Sequence, residues 1–321
     1  PRRVSWSETM TRRRTFLATS AIGVAPAAFA PGALARAAAR LAGAQSGELA
    51  FRISLAQWSL HRAHYSDGLP ALDFPVRARA YGFEAVEYVN SFFREQVLDQ
   101  GWLGELKRRC AGEGVRSLLI MCDGLGALGD ADEAARTRAI ENHYPWLDAA
   151  RFLGCHSIRV NAQSSGSWEE QRQRAADGLH RLCEAGEARG LNVIVENHGG
   201  ISSNGKWLAE VMRAADHPRC GTLPDFGNFQ TGKDEWYDRY QGVRELMPFA
   251  KAVSAKSHDF DAEGNETHTD YRKMLRIVLD AGYHGFLGVE FEGDGVSEER
   301  GILLTRALLE RVRDEFAAAG G

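Results

Sequence analysis

Eight short β-branched runs alternate with amphipathic helical stretches between residues 50 and 318, and few architectures accept that order. The runs are Phe51–Gln57, Glu84–Val89, Ser117–Met121, Ser157–Asn161, Leu191–Glu196, Gly221–Asp225, Ala252–Lys256 and Phe286–Phe291. Between them, Asp132–Phe152, Trp168–Arg189, Trp207–Ala215, Tyr271–Ala281 and Glu298–Ala318 carry the apolar spacing of helices that bury one face. Tyr81-Gly82, Arg189-Gly190 and Ala281-Gly282 put a glycine stop where a helix hands over to the next strand. Such alternation predicts a parallel sheet, and eight units over about 270 residues predict an α/β fold, the (β/α)8 TIM barrel. An open doubly wound sheet would need a glycine-rich phosphate turn after its first strand. Ser54-Leu-Ala-Gln-Trp-Ser59 has no glycine. With no linker or composition break, residues 46–321 are expected to form a single catalytic domain.

Residues 1–45 are a different material. Thr11-Arg-Arg-Arg-Thr-Phe-Leu17 precedes a mild apolar run, Ala18 to Ala30, and resembles the bacterial twin-arginine export signal. Small residues at Ala28 and Ala30, or Ala33 and Ala35, offer cleavage sites. The expectation is a leader that is cleaved or disordered, with Met10 as a true start, and a periplasmic or secreted protein. Past it, no apolar stretch is long and clean enough to anchor the chain in a membrane. Setting aside seven Arg and one Glu in this leader takes the net charge from −4 to about −10. An acidic body is a poor partner for phosphate backbones, so nucleic acid is not an expected partner. Five scattered cysteines form no C-x-x-C pair and no complete disulfide framework. They read as buried small residues, with Cys122, at a strand end, the one open to chemistry.

Three acids then set the function. Glu196 closes Leu191-Asn-Val-Ile-Val195, Asp225 follows Thr222-Leu-Pro, and Glu290 closes Phe286-Leu-Gly-Val289. Carboxylates at the C-terminal ends of parallel strands share one barrel mouth, where barrel enzymes keep their chemistry. Burying so much negative charge without a cation is costly, which points to a divalent metal and an enzyme.

The surrounding motifs are Glu196-Asn-His, Leu223-Pro-Asp-Phe-Gly, Ala255-Lys-Ser-His-Asp and Gly288-Val-Glu-Phe-Glu. Together they resemble the xylose-isomerase-like barrels, a superfamily of sugar isomerases and epimerases with a branch of DNA repair endonucleases. The resemblance implies Glu196, Asp225 and Glu290 as metal ligands, with Glu196 and Glu290 also the acid–base pair. It also places a histidine where this chain has Ser254. His258 shares side-chain parity with that position and is the expected fourth ligand, with His198 as a rival ligand or substrate contact. Asn228 stands where the nuclease branch has a zinc-binding histidine, which argues against a nuclease and leaves Asn228 as a hydroxyl contact. Lys256 beside the acids is expected to polarise a substrate oxygen or to offset their charge. Arg159 and Asn161 alternate inward on the fourth strand, Glu87 lies on the second, and Trp58 follows the first; all four are expected to face the sugar.

Epimerising a carbon next to a carbonyl needs a base on one face and an acid on the other. A metal bridging the two oxygens stabilises the enediolate between those steps. Hard oxygen ligands favour manganese or magnesium, with manganese preferred and cobalt, iron or zinc as alternatives. The strand-eight exit, Glu290-Phe-Glu-Gly-Asp-Gly295, would repel a phosphate. The expected activity is thus isomerisation or epimerisation of an unphosphorylated sugar or sugar derivative through a metal-bound enediolate. The alternative is a lyase or hydratase that cleaves a 3-keto-glycoside by the same proton abstraction followed by elimination. A non-catalytic sugar-binding barrel would show an incomplete acid set. A homodimer is compatible with the sequence, although the last helix needs no partner beyond the barrel's own outer ring.

Overall fold

The computed structural model describes residues 49–320; the leader expected over residues 1–45 lies outside the described residues. All eight expected strands form. They are β1 (Arg52–Ala56), β2 (Ala85–Val89), β3 (Arg116–Met121), β4 (Ser157–Val160), β5 (Asn192–Glu196), β6 (Cys220–Leu223), β9 (Val253–Ser257) and β10 (Phe286–Phe291), with a small hairpin, β7 (Gln230–Gly232) and β8 (Glu235–Trp236), between β6 and β9. The eight pair in parallel in the order β6-β5-β4-β3-β2-β1-β10-β9. The ring closes from β6 to β9 through isolated bridges only, Thr222 to Ala250 and Asp225 to Ser254. Backbone bonds from Lys251 to Thr222 (3.0 Å), Ser254 to Pro224 (3.0 Å) and Phe226 to Ser254 (3.1 Å) complete that seam.

Side chains alternate along each strand, so one set faces the outer helices and the other faces inward. Ala56, Val89, Leu119, Met121, Ile194, Leu223 and Ala252 form the inner apolar cluster, with Trp58 and Phe92 packed against it. The polar residues of the mouth continue these rows, Glu196 two positions after Ile194 and Asp225 two after Leu223. The helices bury the outer faces in a larger cluster that includes Ile302, Leu308, Leu309 and Val312 of the last helix, Glu298–Gly320. That helix therefore finds its apolar partner on the barrel itself.

Two details depart from expectation. The single helix expected over Asp132–Phe152 is two, Glu133–Asn142 and Tyr144–Leu153. Pro145 lacks the N–H that would continue the ladder and sits in the first turn of the second helix, where that N–H is not needed. The β7–β8 hairpin has no sequence signature, because Gln230-Thr-Gly has no apolar alternation to announce a strand. The glycine stops behave as expected: Gly190 and Gly282 sit at φ 73° and 84°. Cys110, Cys122, Cys155 and Cys183 are buried and free, and burial pushes the Cys122 thiol up, away from reactivity.

Candidate active site

Asp225 is positioned by a dense set of bonds. The N–H groups of Gly227 and Asn228 donate to its Oδ1 at 2.8 and 2.7 Å. Its own N–H donates to Asn197 Oδ1 at 2.8 Å, and Asn197 Nδ2 returns to the Asp225 and Asn228 carbonyls at 3.1 and 3.0 Å. Asn228 Nδ2 in turn donates to Glu196 Oε1 at 2.9 Å. The Leu-Pro-Asp-Phe-Gly-Asn turn thus locks two strand-end acids to each other.

Glu196, Asp225 and Glu290 are all buried, and each offers an oxygen within 4.8 Å of the others. That separation suits one shared cation with metal–oxygen distances of about 2.0–2.6 Å. Glu196 Oε2 lies 2.8 Å from Arg159 Nε, yet neither atom makes a hydrogen bond, because the N–H is not aimed along that line. A buried carboxylate oxygen with no hydrogen-bond donor is what a metal ligand looks like without its metal. The residues present therefore fit a divalent ion.

Ser254 occupies the slot where the resemblance implies an imidazole. Its Oγ lies 2.6 Å from Asp225 Oδ2 and 2.8 Å from Glu290 Oε2, tying two of the acids together. One hydroxyl hydrogen serves only one of them at a time, so the second contact is satisfied when a carboxyl is protonated. His258, expected as fourth ligand, lies outside the triad: its ring faces Glu292, with Nε2 3.8 Å from Oε2. His198 is exposed and lines the cavity above the acids with Asn228 and His258.

Two buried cations face the triad. Lys256 Nζ lies 3.1 Å from Glu290 Oε1, 3.1 Å from Glu292 Oε1 and 3.9 Å from Asp225 Oδ2. Burial alone would drive its proton off, but the charges of Asp225, Glu290 and Glu292 outweigh that and hold the ammonium well above its usual range. Arg159 joins Glu196 to Asp123, with Nη1 2.6 Å from Asp123 Oδ1. Asn161 Nδ2 donates to the same oxygen at 2.7 Å. Burial would raise the Asp123 carboxyl, yet Arg159 and Asn161 bring it down to about 2. In contrast, burial pushes Glu196 and Asp225 up to about 7, despite Arg159 and Lys256 respectively.

Glu87 lies beneath the triad. Ser54 Oγ donates to its Oε1 at 2.6 Å. Its carboxyl presses against the backbone of Gly288, where a Cβ would meet the two oxygens at 2.6 and 2.7 Å. Only glycine leaves that space on β10. Burial pushes Glu87 up to about 8 from an ordinary 4.5, assisted by the charges of Glu290 and Glu196. Between those values the folded chain keeps a proton that the unfolded chain has released, so stability falls as pH rises through that window. Comparison of urea midpoints at pH 5 and pH 8 should show a loss that Glu87→Gln reduces. An identical loss in the variant would show that Glu87 does not carry it.

Trp58 stands at the rim of the mouth, stacked on His61 at 5.0 Å and near Phe92 at 6.0 Å. It is close enough to Glu292 to lower that carboxyl, whose value falls mainly through Lys256 against the cost of burial. Glu292, Asp123, Asn197 and Ser54 are the residues that sequence reasoning passed over. For Glu292 a signal existed: it is two positions beyond Glu290 and shares its side-chain parity.

Several solved structures share this fold. The 3-keto-D-glucoside 4-epimerase of E. coli is 15% identical and superposes with a TM-score of 0.64, covering 81% of this chain and 99% of that one. A D-tagatose 3-epimerase-like protein is 14% identical with a TM-score of 0.68, covering 84% and 100%. A xylose isomerase-like barrel protein from Mycobacterium smegmatis, solved in complex with magnesium, is 15% identical with a TM-score of 0.63, covering 87% and 99%. By sequence, 65 residues are 34% identical to the C-glycoside deglycosidase alpha subunit of Arthrobacter globiformis, a match spanning 20% of this chain and 16% of that protein. Residues 75–313, well over half of the chain, match the family described as Xylose isomerase-like TIM barrel. The eight-stranded ring, its acids at the strand ends and that match agree: the chain belongs to the xylose isomerase-like TIM barrel family.

Proposed function

We propose that this protein is a metal-dependent isomerase or epimerase of an unphosphorylated sugar or sugar derivative, acting through an enediolate. The buried triad Glu196, Asp225 and Glu290, with Glu196 Oε2 accepting no hydrogen bond, is the observation that carries the reading. Glu196, Asp225 and Glu290 would hold a divalent cation, manganese by preference, which would supply positive charge against the negative charge developing on the substrate. Glu196, at the end of β5 in the mouth, takes the proton from the carbon next to the carbonyl. Glu290, on a strand across the mouth, returns a proton to the opposite face. Lys256 and Arg159 hold their charges throughout, and Ser254 keeps Asp225 and Glu290 in register.

The acidic exit of β10, Glu290, Glu292 and Asp294, disfavours a phosphorylated substrate. An unphosphorylated sugar would also suit the export expected from residues 1–45. The structural likeness to a 3-keto-D-glucoside 4-epimerase supports a keto-sugar as substrate. The match to a C-glycoside deglycosidase subunit favours a second reading, in which the same abstraction is followed by loss of the glycosidic substituent from a 3-keto-glycoside.

Incubation of the metal-loaded protein with a 3-keto-glucoside in D2O tests both readings. Deuterium should enter next to the carbonyl, and Glu290→Gln should slow epimer formation by about 10²–10⁴-fold. Epimer without release of the aglycone supports the first reading, and aglycone release the second. Absence of both deuterium incorporation and aglycone release would overturn both readings.

A further inference from the structure

Next to the triad, joined to it through Asn228, lies a cavity of about 530 Å³. It starts at Asn228, the residue bonded to Glu196, and runs past His198 and His258 to Lys233 and Trp236 on the β7–β8 hairpin. Its volume falls within the roughly 300–1,000 Å³ of sites that enclose a whole multi-ring ligand.

Two features of the outer end point to a ligand. Trp236 is 60% exposed, and among the described residues no ring or cation stacks on its indole and nothing accepts from its Nε1. The hairpin that carries it is nonetheless well fixed, paired at Gln230–Trp236 and held by Tyr237 N–H donating to the Phe229 carbonyl at 2.8 Å. An aromatic face lining a cavity beside the site offers a flat apolar platform to a ligand ring. The lining also contains no carboxylate, in contrast to the acidic floor, and Lys233 is its only fixed charge. A cationic group on the ligand's outer part is therefore disfavoured.

We infer that the site takes a two-ring glycoside rather than a free monosaccharide, with the second ring laid flat on Trp236. The inference rests on the sugar-directed reading above and names its substrate class. An aromatic aglycone and a second pyranose both present the required flat apolar face.

Binding separates these cases. Calorimetry on the manganese-loaded protein would compare methyl β-D-glucopyranoside, phenyl β-D-glucopyranoside and cellobiose. At least one two-ring ligand should bind about tenfold more tightly than the methyl glycoside, and the one that does identifies the ring. Trp236→Ala should erase that advantage while leaving methyl glycoside affinity unchanged, and Trp236→Phe should keep most of it. Equal affinities in wild type, or equal weakening of all three by Trp236→Ala, would overturn the inference and leave the proposed function intact. Failure of every glycoside to bind would overturn the inference, while the D2O exchange experiment decides the proposed function separately.

Discussion

Glu196→Gln is expected to lower turnover by on the order of 10³-fold and to cut bound divalent metal well below one ion per chain. The amide keeps the shape of the carboxyl and can still accept from Asn228 Nδ2, so the turn around Asp225 should stay in place. Arg159 loses one partner but keeps Asp123. What disappears is the negative charge that a cation needs and the proton acceptor that the reaction needs. Elemental analysis of wild type and variant, side by side, makes the comparison independent of any substrate. About one manganese, magnesium or cobalt in the wild type and little in the variant is the expected pair of results. A well-folded wild type that takes up no metal even after reconstitution would remove the mechanism and favour a sugar-binding barrel without catalysis.

The second large effect concerns Lys256. Its ammonium is buried against Glu290, Glu292 and Asp225, so Lys256→Met leaves those acids without their nearest cation. Removing one partner of a buried ion pair typically costs about 3–5 kcal/mol. At about 2–4 °C per kcal/mol for a domain of this size, the metal-free variant should melt on the order of 10 °C below wild type. Added divalent metal should then raise the melting temperature of the variant more than that of wild type, because the ion restores charge the variant lacks. Equal melting temperatures without metal would show that the acids do not depend on Lys256 for neutralisation.

Much of this site was legible before any coordinates. Glu196, Asp225 and Glu290 announce themselves because each ends an apolar strand run, and strand ends of a parallel barrel converge. Arg159 and Lys256 follow from parity alone. Residues whose roles depend on a partner from another strand were not legible. Asp123 matters through Arg159, Ser54 through Glu87, and Asn197 through Asp225, and no local pattern encodes those pairings. His258 shows the limit of parity: it continues the row of Ser254 and Lys256 but lies past the end of β9, where it turns toward Glu292. The helix break at His143 and the β7–β8 hairpin are likewise matters of local backbone chemistry that apolar spacing does not report.

The ring of strands is not uniformly stitched. Seven of its junctions are ladders, whereas β6 and β9 meet through two isolated bridges and a few backbone bonds. Asp225 stands on one lip of that seam and Ser254 on the other, with Glu290 on β10, the strand next to β9. An ion gripped by Asp225 and Glu290 would work as a clasp on the barrel's weakest join. Cofactor loading and mechanical integrity are then one property: amide exchange along Gly221–Phe226 and Ala252–Lys256 should slow when metal binds, while the β2–β3 ladder stays indifferent.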